Sequence, residues 1–402
     1  MMLRRIFAIV FIFACTSAAW AVLGATIFAR SESLGSGLKA RVASTWGSAQ
    51  VQTPPSAAYE RDTTELVERT VDGKKILESA TRSKQYPLPL EKSDVSVAFD
   101  LEHRQKGLLW YSTYKVDFSG TYVFHNTSGQ DETVQVQIKF PAERAVYDDY
   151  KVLVGGSPVE VRSTDSCVSV EAKVAAGRAF TCTVAYKSQG LDSWTYRFGT
   201  EVTQVKDFAL QMRTNFDDID FPENTLSPTE KRPVAGGWEL GWRYRNLLSG
   251  YDIGMIMPQK LQPGPLAGQI SLFAPVSLFF FFFLMFTITT LRDIELHPMN
   301  YFFLAAAFFS FHLLLAYLVD HVSIHLAFAI CSLVSILLVV SYLRLVVGMR
   351  FAAVEAGISQ FIYLVLFSYA FFFKGFTGLA VTIGSILTLF VVMQMTGRIR
   401  WA

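Results

Sequence analysis

The sequence predicts an α+β membrane protein with an N-terminal membrane anchor helix, an all-β, sandwich-like extramembrane domain and a C-terminal five-helix transmembrane bundle. Three observations predict it. The last third of the chain is a nearly unbroken series of apolar stretches of about 20 residues, the helical length that crosses a lipid core roughly 30 Å thick. Another apolar run opens the chain. Between the two lie far more polar residues, whose hydrophobicity alternates with the period of a β-strand. The 51% hydrophobic and 17% charged fractions therefore average two unlike parts. A net charge of +2 is too small to point to nucleic acid as a partner, and the partner the composition implies is the lipid bilayer.

The first segment, 1–30, is read as the anchor, with its apolar run at 6–29. Arg4 and Arg5 precede that run, the arrangement that keeps an N-terminus in the cytoplasm. A cleavable signal peptide is the rival reading. Its apolar region is usually 7–15 residues, shorter than this one, although the alanine-rich stretch 18–21 offers a peptidase site. Residues 31–93 follow as a partly ordered connector, rich in Ser, Gly, Ala and Pro up to about residue 58. Within it, 60–79 has two readings. Leu66, Val67, Ile76 and Leu77 line a helix face, or Asp72-Gly73 turns a hairpin.

From residue 94 to 267 the period is two. Val95, Val97, Phe99 and Leu101 alternate with polar residues, as do Val134, Val136, Ile138 and Phe140. Val152 and Val154 lead into Gly155-Gly156, and Val159 and Val161 lead out, a hairpin signature. Many short strands with one wet face imply an antiparallel sandwich. Cys167 and Cys182 are the two cysteines of this domain, each in a strand-like run, and in an oxidising compartment they are a disulfide candidate. The alternative is two reduced, buried thiols. Asp217, Asp218, Asp220 and Glu223 cluster beside Pro222, but their spacing does not fit an EF-hand loop and reads as a turn between strands. No metal or other cofactor is expected.

Five further spans are read within 268–402, at 270–291, 299–319, 324–343, 356–373 and 376–396. With both termini cytoplasmic, the inside ends hold Arg4, Arg5, Arg292, Arg344, Arg350, Arg398 and Arg400, whereas the short outside loops of the bundle hold Lys374. That asymmetry puts the large domain on the outer side of the membrane. Tyr301, Tyr317, Tyr342, Tyr369 and Trp401 fit an aromatic belt, and Gly375, Gly378, Gly384 and Ser385 imply close helix packing. His312 falls near the middle of the third span, with Asp320, His321 and His325 around its outer end. A proton relay or haem ligation is the functional reading. The structural one is a capping Asp320, His321 on the carbonyls that end the third span, and a hydrogen-bonded His312. Glu355 and Arg350 are placed in an inside loop. No nucleophile with a base, Walker-type loop or dinucleotide fingerprint appears, so the chain is not read as an enzyme.

Several strings, in order, resemble one family, the CreD-type inner-membrane proteins. Thr45-Trp46-Gly47 with Gln50 resembles its W-G-x-x-Q stretch, with Thr53-Pro54 in place of the usual Gly-Pro. Arg104-Gln105-Lys106-Gly107-Leu108, then Tyr114 and Gly120-Thr121-Tyr122, resembles its R-x-R-G-[IL] … Y … G-x-[FY] signature, with Lys106 for the second Arg. Leu296-His297-Pro298-Met299-Asn300-Tyr301 resembles I-H-P-x-x-Y, Val319-Asp320-His321 resembles S-E-H, and Arg398-Ile399-Arg400-Trp401 resembles R-x-[DR]-W. The resemblance implies a bacterial inner-membrane location, a periplasmic β domain, and a role in cell-envelope integrity or stress response with an unidentified periplasmic or membrane protein partner. It supplies no catalytic residues. The alternative function is a small-solute transporter or export accessory using the bundle.

Overall fold

The computed structural model describes residues 2–71, 74–106, 109–373 and 375–397. They divide into a helical unit, the chain up to Leu38 together with Leu261 onward, and a β unit, Lys39–Lys106 with Trp110–Lys260.

The helical unit is built from α1 (Met2–Trp46, of which the part to Leu38 belongs here), α2 (Pro263–Leu291), α3 (Pro298–Leu318), α4 (Ile324–Val346), α5 (Phe351–Phe372) and α6 (Thr377–Thr396). All six are long and apolar enough to cross a bilayer. Proline opens α2 and α3, where its missing N–H costs no hydrogen bond. The core is aromatic and aliphatic: Trp20 of α1, Leu278 and Phe281 of α2, Phe308 and Phe311 of α3, and Leu364 of α5 are all fully buried. Boundaries differ from expectation, α2 starting at Pro263 and not at 270. The first helix runs on to Trp46, because no proline interrupts 31–46 and the Ser and Gly residues there are tolerated in a helix. The fifth begins at Phe351, so Glu355 lies inside a helix and not in a loop.

The β unit holds three sheets where a two-sheet sandwich was expected, and its strands begin at Gln50, well before residue 94. The eight-stranded sheet runs β14-β15-β13-β4-β5-β11-β7-β8, built from β4 (Leu90–Lys106), β5 (Leu109–His125), β7 (Tyr147–Val154), β8 (Ser157–Pro158), β11 (Ala179–Leu191), β13 (Thr203–Arg213), β14 (Glu230–Val234) and β15 (Gly237–Ser249). A five-stranded sheet runs β3-β2-β6-β10-β9, from β2 (Ser56–Val71), β3 (Lys74–Pro87), β6 (Glu132–Lys139), β9 (Arg162–Ser163) and β10 (Cys167–Val174). A small third sheet joins β1 (Gln50–Gln52), β12 (Ser193–Tyr196) and β16 (Ile253–Ile256). One core serves them all. Val95, Val97 and Phe99 of β4 point into it while Ser96, Ala98 and Asp100 face out, the alternation read from the sequence. Gly155 and Gly156, both at positive φ, turn the β7–β8 hairpin.

Of the two readings of 60–79, the hairpin is the one formed, paired from Ala58↔Pro87 to Val71↔Lys74, with Asp72 and Gly73 outside the described residues. The expected partly ordered connector is therefore helix to Trp46 and strand from Gln50.

The cysteine pairing is corrected. Cys167 and Cys182 are free thiols. They belong to different sheets, Cys167 opposite Lys139 in β6 and Cys182 opposite Tyr122 in β5. Cys182 is fully buried among core side chains, and burial pushes its thiol up to about 12. Cys167 is half-buried, its Sγ 3.2 Å from Thr164 Oγ1. Alkylation of the native protein at pH 8 should accordingly label Cys167 and reach Cys182 only after unfolding. Equal protection of both thiols, released together by reductant, would restore the disulfide.

Candidate functional site

Two groups of residues stand out, and each lies within a single unit. In the β unit the structure brings together strings far apart in sequence. Trp46 ends α1, and the guanidinium of Arg104 lies 3.4 Å from its ring centroid. Arg104 also bonds Glu102 at 3.2 Å, and Lys115 reaches the same carboxylate at 2.6 Å. These cationic hydrogen bonds hold the Glu102 carboxyl below the usual carboxylate range, the bond from Lys115 most of all. Next along the chain, Gly47 turns at φ +124° against the backbone of Gln189. Gln50 then enters the interior, its Nε2 donating to Ser188 Oγ at 2.8 Å and to Gln189 O at 2.9 Å. Gln52 accepts from the Tyr186 hydroxyl at 2.6 Å. Burial drives that phenol well above its ordinary value, so it stays a donor. The W-G-x-x-Q stretch is thus a clamp on the end of β11. Gly120 lies where the Tyr122 ring folds back over the strand, with no room for a Cβ. Gly107 and Trp401 lie outside the described residues.

In the helical unit His297 is the N-cap of α3, its Nδ1 accepting from Met299 N–H at 3.2 Å, and Pro298 is the first residue of that helix. Tyr301 is fully buried, edge-on to Phe282, with its hydroxyl unpartnered. Asp320 does not cap α4, whose N-cap is Ser323. It pairs instead with Arg30 of α1 at 3.1 Å, and Arg30 also donates to Ala316 O at 2.6 Å and lies over the Tyr317 ring. An arginine long enough to leave α1 outcompetes the local cap. His321 is exposed, and it is the backbone N–H that bonds Leu318 O at 3.0 Å. Asp320→Asn should therefore lower stability by about 1 kcal/mol or less, because both partners are a third exposed, and His321→Gln should leave it unchanged. Thermal unfolding in detergent tests both, and a loss above that size for His321→Gln would give its ring a role the geometry does not assign.

A buried polar layer was missed in the sequence. Gln360 of α5 donates to Ser335 of α4 at 2.8 Å, and Ser335 donates to Ala307 O of α3 at 2.6 Å. Ser277 of α2 donates to Tyr363 O, and the Tyr363 hydroxyl meets Thr388 of α6 at 2.7 Å. Gln360 lies between two π-helical segments, Phe351–Ala356 and Phe361–Leu366. The wider turns carry Gln360 and Tyr363 towards neighbouring helices. His312 is fully buried with its Nδ1 3.0 Å from Phe308 O, so that nitrogen carries the proton and Nε2 is left as an acceptor without a partner. Trp20 lies edge-on to it, with ring centroids 5.4 Å apart. At one end Arg292 pairs with Glu355. A glutamine inside an otherwise apolar span was the available signal, since a polar group in hydrocarbon needs a partner. The acidic cluster serves its turn, Asp220 accepting from Phe221 N–H at 2.9 Å, and no group of three metal-ligating side chains occurs among the described residues.

No curated protein matches the chain. Among solved structures it is similar to a "putative nutrient binding protein" from Legionella pneumophila, at 9% identity over 48% of this chain and 71% of that one, with a TM-score of 0.35. It is also similar to an M1 zinc metallopeptidase from Deinococcus radiodurans, at 9% identity over 42% of each chain, with a TM-score of 0.29. Scores this low are no evidence of a shared fold. Residues 271–402 match the family model described as inner membrane protein CreD. Six helices among the described residues that are long and apolar enough to span a bilayer, together with that match, support a multi-pass inner-membrane protein whose last third is similar to the CreD inner-membrane family.

Proposed function

We propose that the protein is a non-enzymatic inner-membrane protein serving cell-envelope integrity or stress response, with its β unit in the periplasm as the module that engages a periplasmic or membrane protein partner. The sorting of charges in the helical unit carries this reading. Arg5 lies over the Phe286 ring and Arg292 pairs with Glu355, so the start of α1, the end of α2 and the start of α5 share one end. Arg30 and Asp320 pair at the other. The first end holds the unbalanced arginines and is cytoplasmic by the positive-inside rule. α1 leaves from it, so the β unit follows on the periplasmic side and both termini are cytoplasmic. The buried polar side chains bond helix to helix, an anchoring role in keeping with a protein that does no chemistry of its own.

Alkaline phosphatase should be active when fused at Gly129 and inactive when fused at Trp401. The reverse pattern would overturn the orientation and the periplasmic module with it. One observation favours a solute path through the helices as a second reading. Gln360 Oε1 and His312 Nε2 are buried acceptors without partners among the described residues, and Gln360 sits between two π-helical segments often associated with function. Modification of a cysteine at position 360 by a water-soluble thiol reagent in intact membranes would support that path, and full protection would count against it.

A further inference from the structure

Between α1 and α2 the helical unit carries an open apolar groove of about 470 Å³, lined by Ile6, Ile9, Val10 and Phe13 of α1 and by Phe279, Phe282, Phe283 and Phe286 of α2. Its walls are unusually aromatic for a lipid-facing surface. Phe279 and Phe283 stack with their planes 1° apart, and Phe13 meets Phe279 edge-on at 6.2 Å. Arg5 is not part of the lining but lies beside it, at Phe286. The Arg5 guanidinium lies 5.8 Å from the Phe286 ring centroid, and its Nε and Nη2 atoms are buried with no hydrogen-bond partner among the described residues. Arg4, exposed, adds a second positive charge beside it.

Buried guanidinium donors left unpaired are costly, and an arginine that meets no carboxylate is completed by an oxyanion of matching geometry. Such an oxyanion attached to an apolar chain satisfies both halves of the site at once. We propose that this groove is a binding site for one anionic phospholipid, its acyl chain lying along Val10, Phe279 and Phe283 and its headgroup phosphate accepting from Arg5. A zwitterionic lipid offers the same chain and phosphate but no net charge, and a free phosphate offers the charge with no chain. The site should therefore rank phosphatidylglycerol above both. It also ties the start of α1 to α2 through a ligand, which gives the protein a direct response to the anionic lipid content of its membrane.

The test uses the full chain, purified in detergent and stripped of lipid, with thermal stability and native mass spectrometry as readouts. Phosphatidylglycerol, phosphatidylcholine and inorganic phosphate are added separately. Phosphatidylglycerol should raise the unfolding temperature and remain bound in the mass spectrum, whereas the other two should do neither. Arg5→Gln, with Arg4 retained, should weaken phosphatidylglycerol binding about fivefold or more. Val10→Trp, which fills the groove and keeps the cation, should abolish it while leaving the lipid-free unfolding temperature close to that of the parent. Equal retention of phosphatidylglycerol and phosphatidylcholine by the parent protein would overturn the proposal. So would undiminished phosphatidylglycerol binding by both variants, and stabilisation by inorganic phosphate alone would reduce the site to a simple anion site.

Discussion

Replacing Gly47 by alanine should destabilise the β unit by about 2–4 kcal/mol, the combined cost of a strained backbone and an overpacked contact. At φ +124° an L side chain is strained on its own account. The new methyl would also fall 2.4 Å from Gln189 O, a backbone atom of β11 at a residue paired with Lys115 of β5 and unable to swing away. That carbonyl accepts from Gln50, and Leu191 N–H donates to Ser48 O at 3.1 Å, so displacing residue 47 strains these two bonds of the clamp. Gly129→Ala supplies the control. Gly129 also has positive φ, +73°, but nothing lies within 4 Å of its Cβ position, and the loss should be about 1 kcal/mol. Denaturant unfolding of the full chain, followed by the fluorescence of the buried Trp194 and Trp242, separates the two. If both variants lost the same small amount, the clamp would contribute nothing beyond backbone conformation.

Much of the architecture was legible because it rests on periodicity and length. Val95, Val97 and Phe99 announce a half-buried strand by alternation alone, and the apolar stretches from residue 270 onward declare themselves by their length. Pairing partners were not legible. Nothing local distinguishes a Cys182 that packs in a core from one that meets Cys167, because the choice is made by which sheet each strand joins. The same holds for Asp320: its neighbours in sequence favour a cap, and the competitor, Arg30, arrives on α1 from 290 residues away. The average hydropathy of its span hides Gln360, whose single amide bonds α5 to Ser335 of α4. The resemblance at Trp46-Gly47-…-Gln50 and Arg104 singles out these residues without saying what joins them. Only their meeting in space, ring on guanidinium and amide on Gln189 O, supplies the reason.

Replacing Gly268 by leucine should loosen α1 from α2 and cost about 1–3 kcal/mol, with a lowered unfolding temperature in detergent. In lipid no hydrophobic force distinguishes helix from solvent, so contact between spans depends on close packing at small residues. Gly264 and Gly268 stand four apart on α2, one face of the helix. A Cβ at Gly268 would come within 3.0–3.1 Å of the Phe28 ring of α1, and one at Gly264 would come 2.3 Å from Ser31 Oγ. The arrangement is reciprocated one turn on, where a Cβ at Gly24 of α1 would strike the Leu272 side chain at 2.6 Å. Alanine at 268 asks only that the Phe28 ring shift by a few tenths of an ångström and should be mild. Leucine adds three further carbons where the ring already lies, and must either displace Phe28 or part the helices. The glycines that composition singled out behave differently: Gly378 and Gly384 of α6 have nothing within 4 Å of a Cβ position, so Gly384→Leu should leave stability within about 0.5 kcal/mol of the parent. Measured side by side, a large loss at 384 and none at 268 would place close helix packing on α6, where the sequence alone put it, and remove it from the α1–α2 contact.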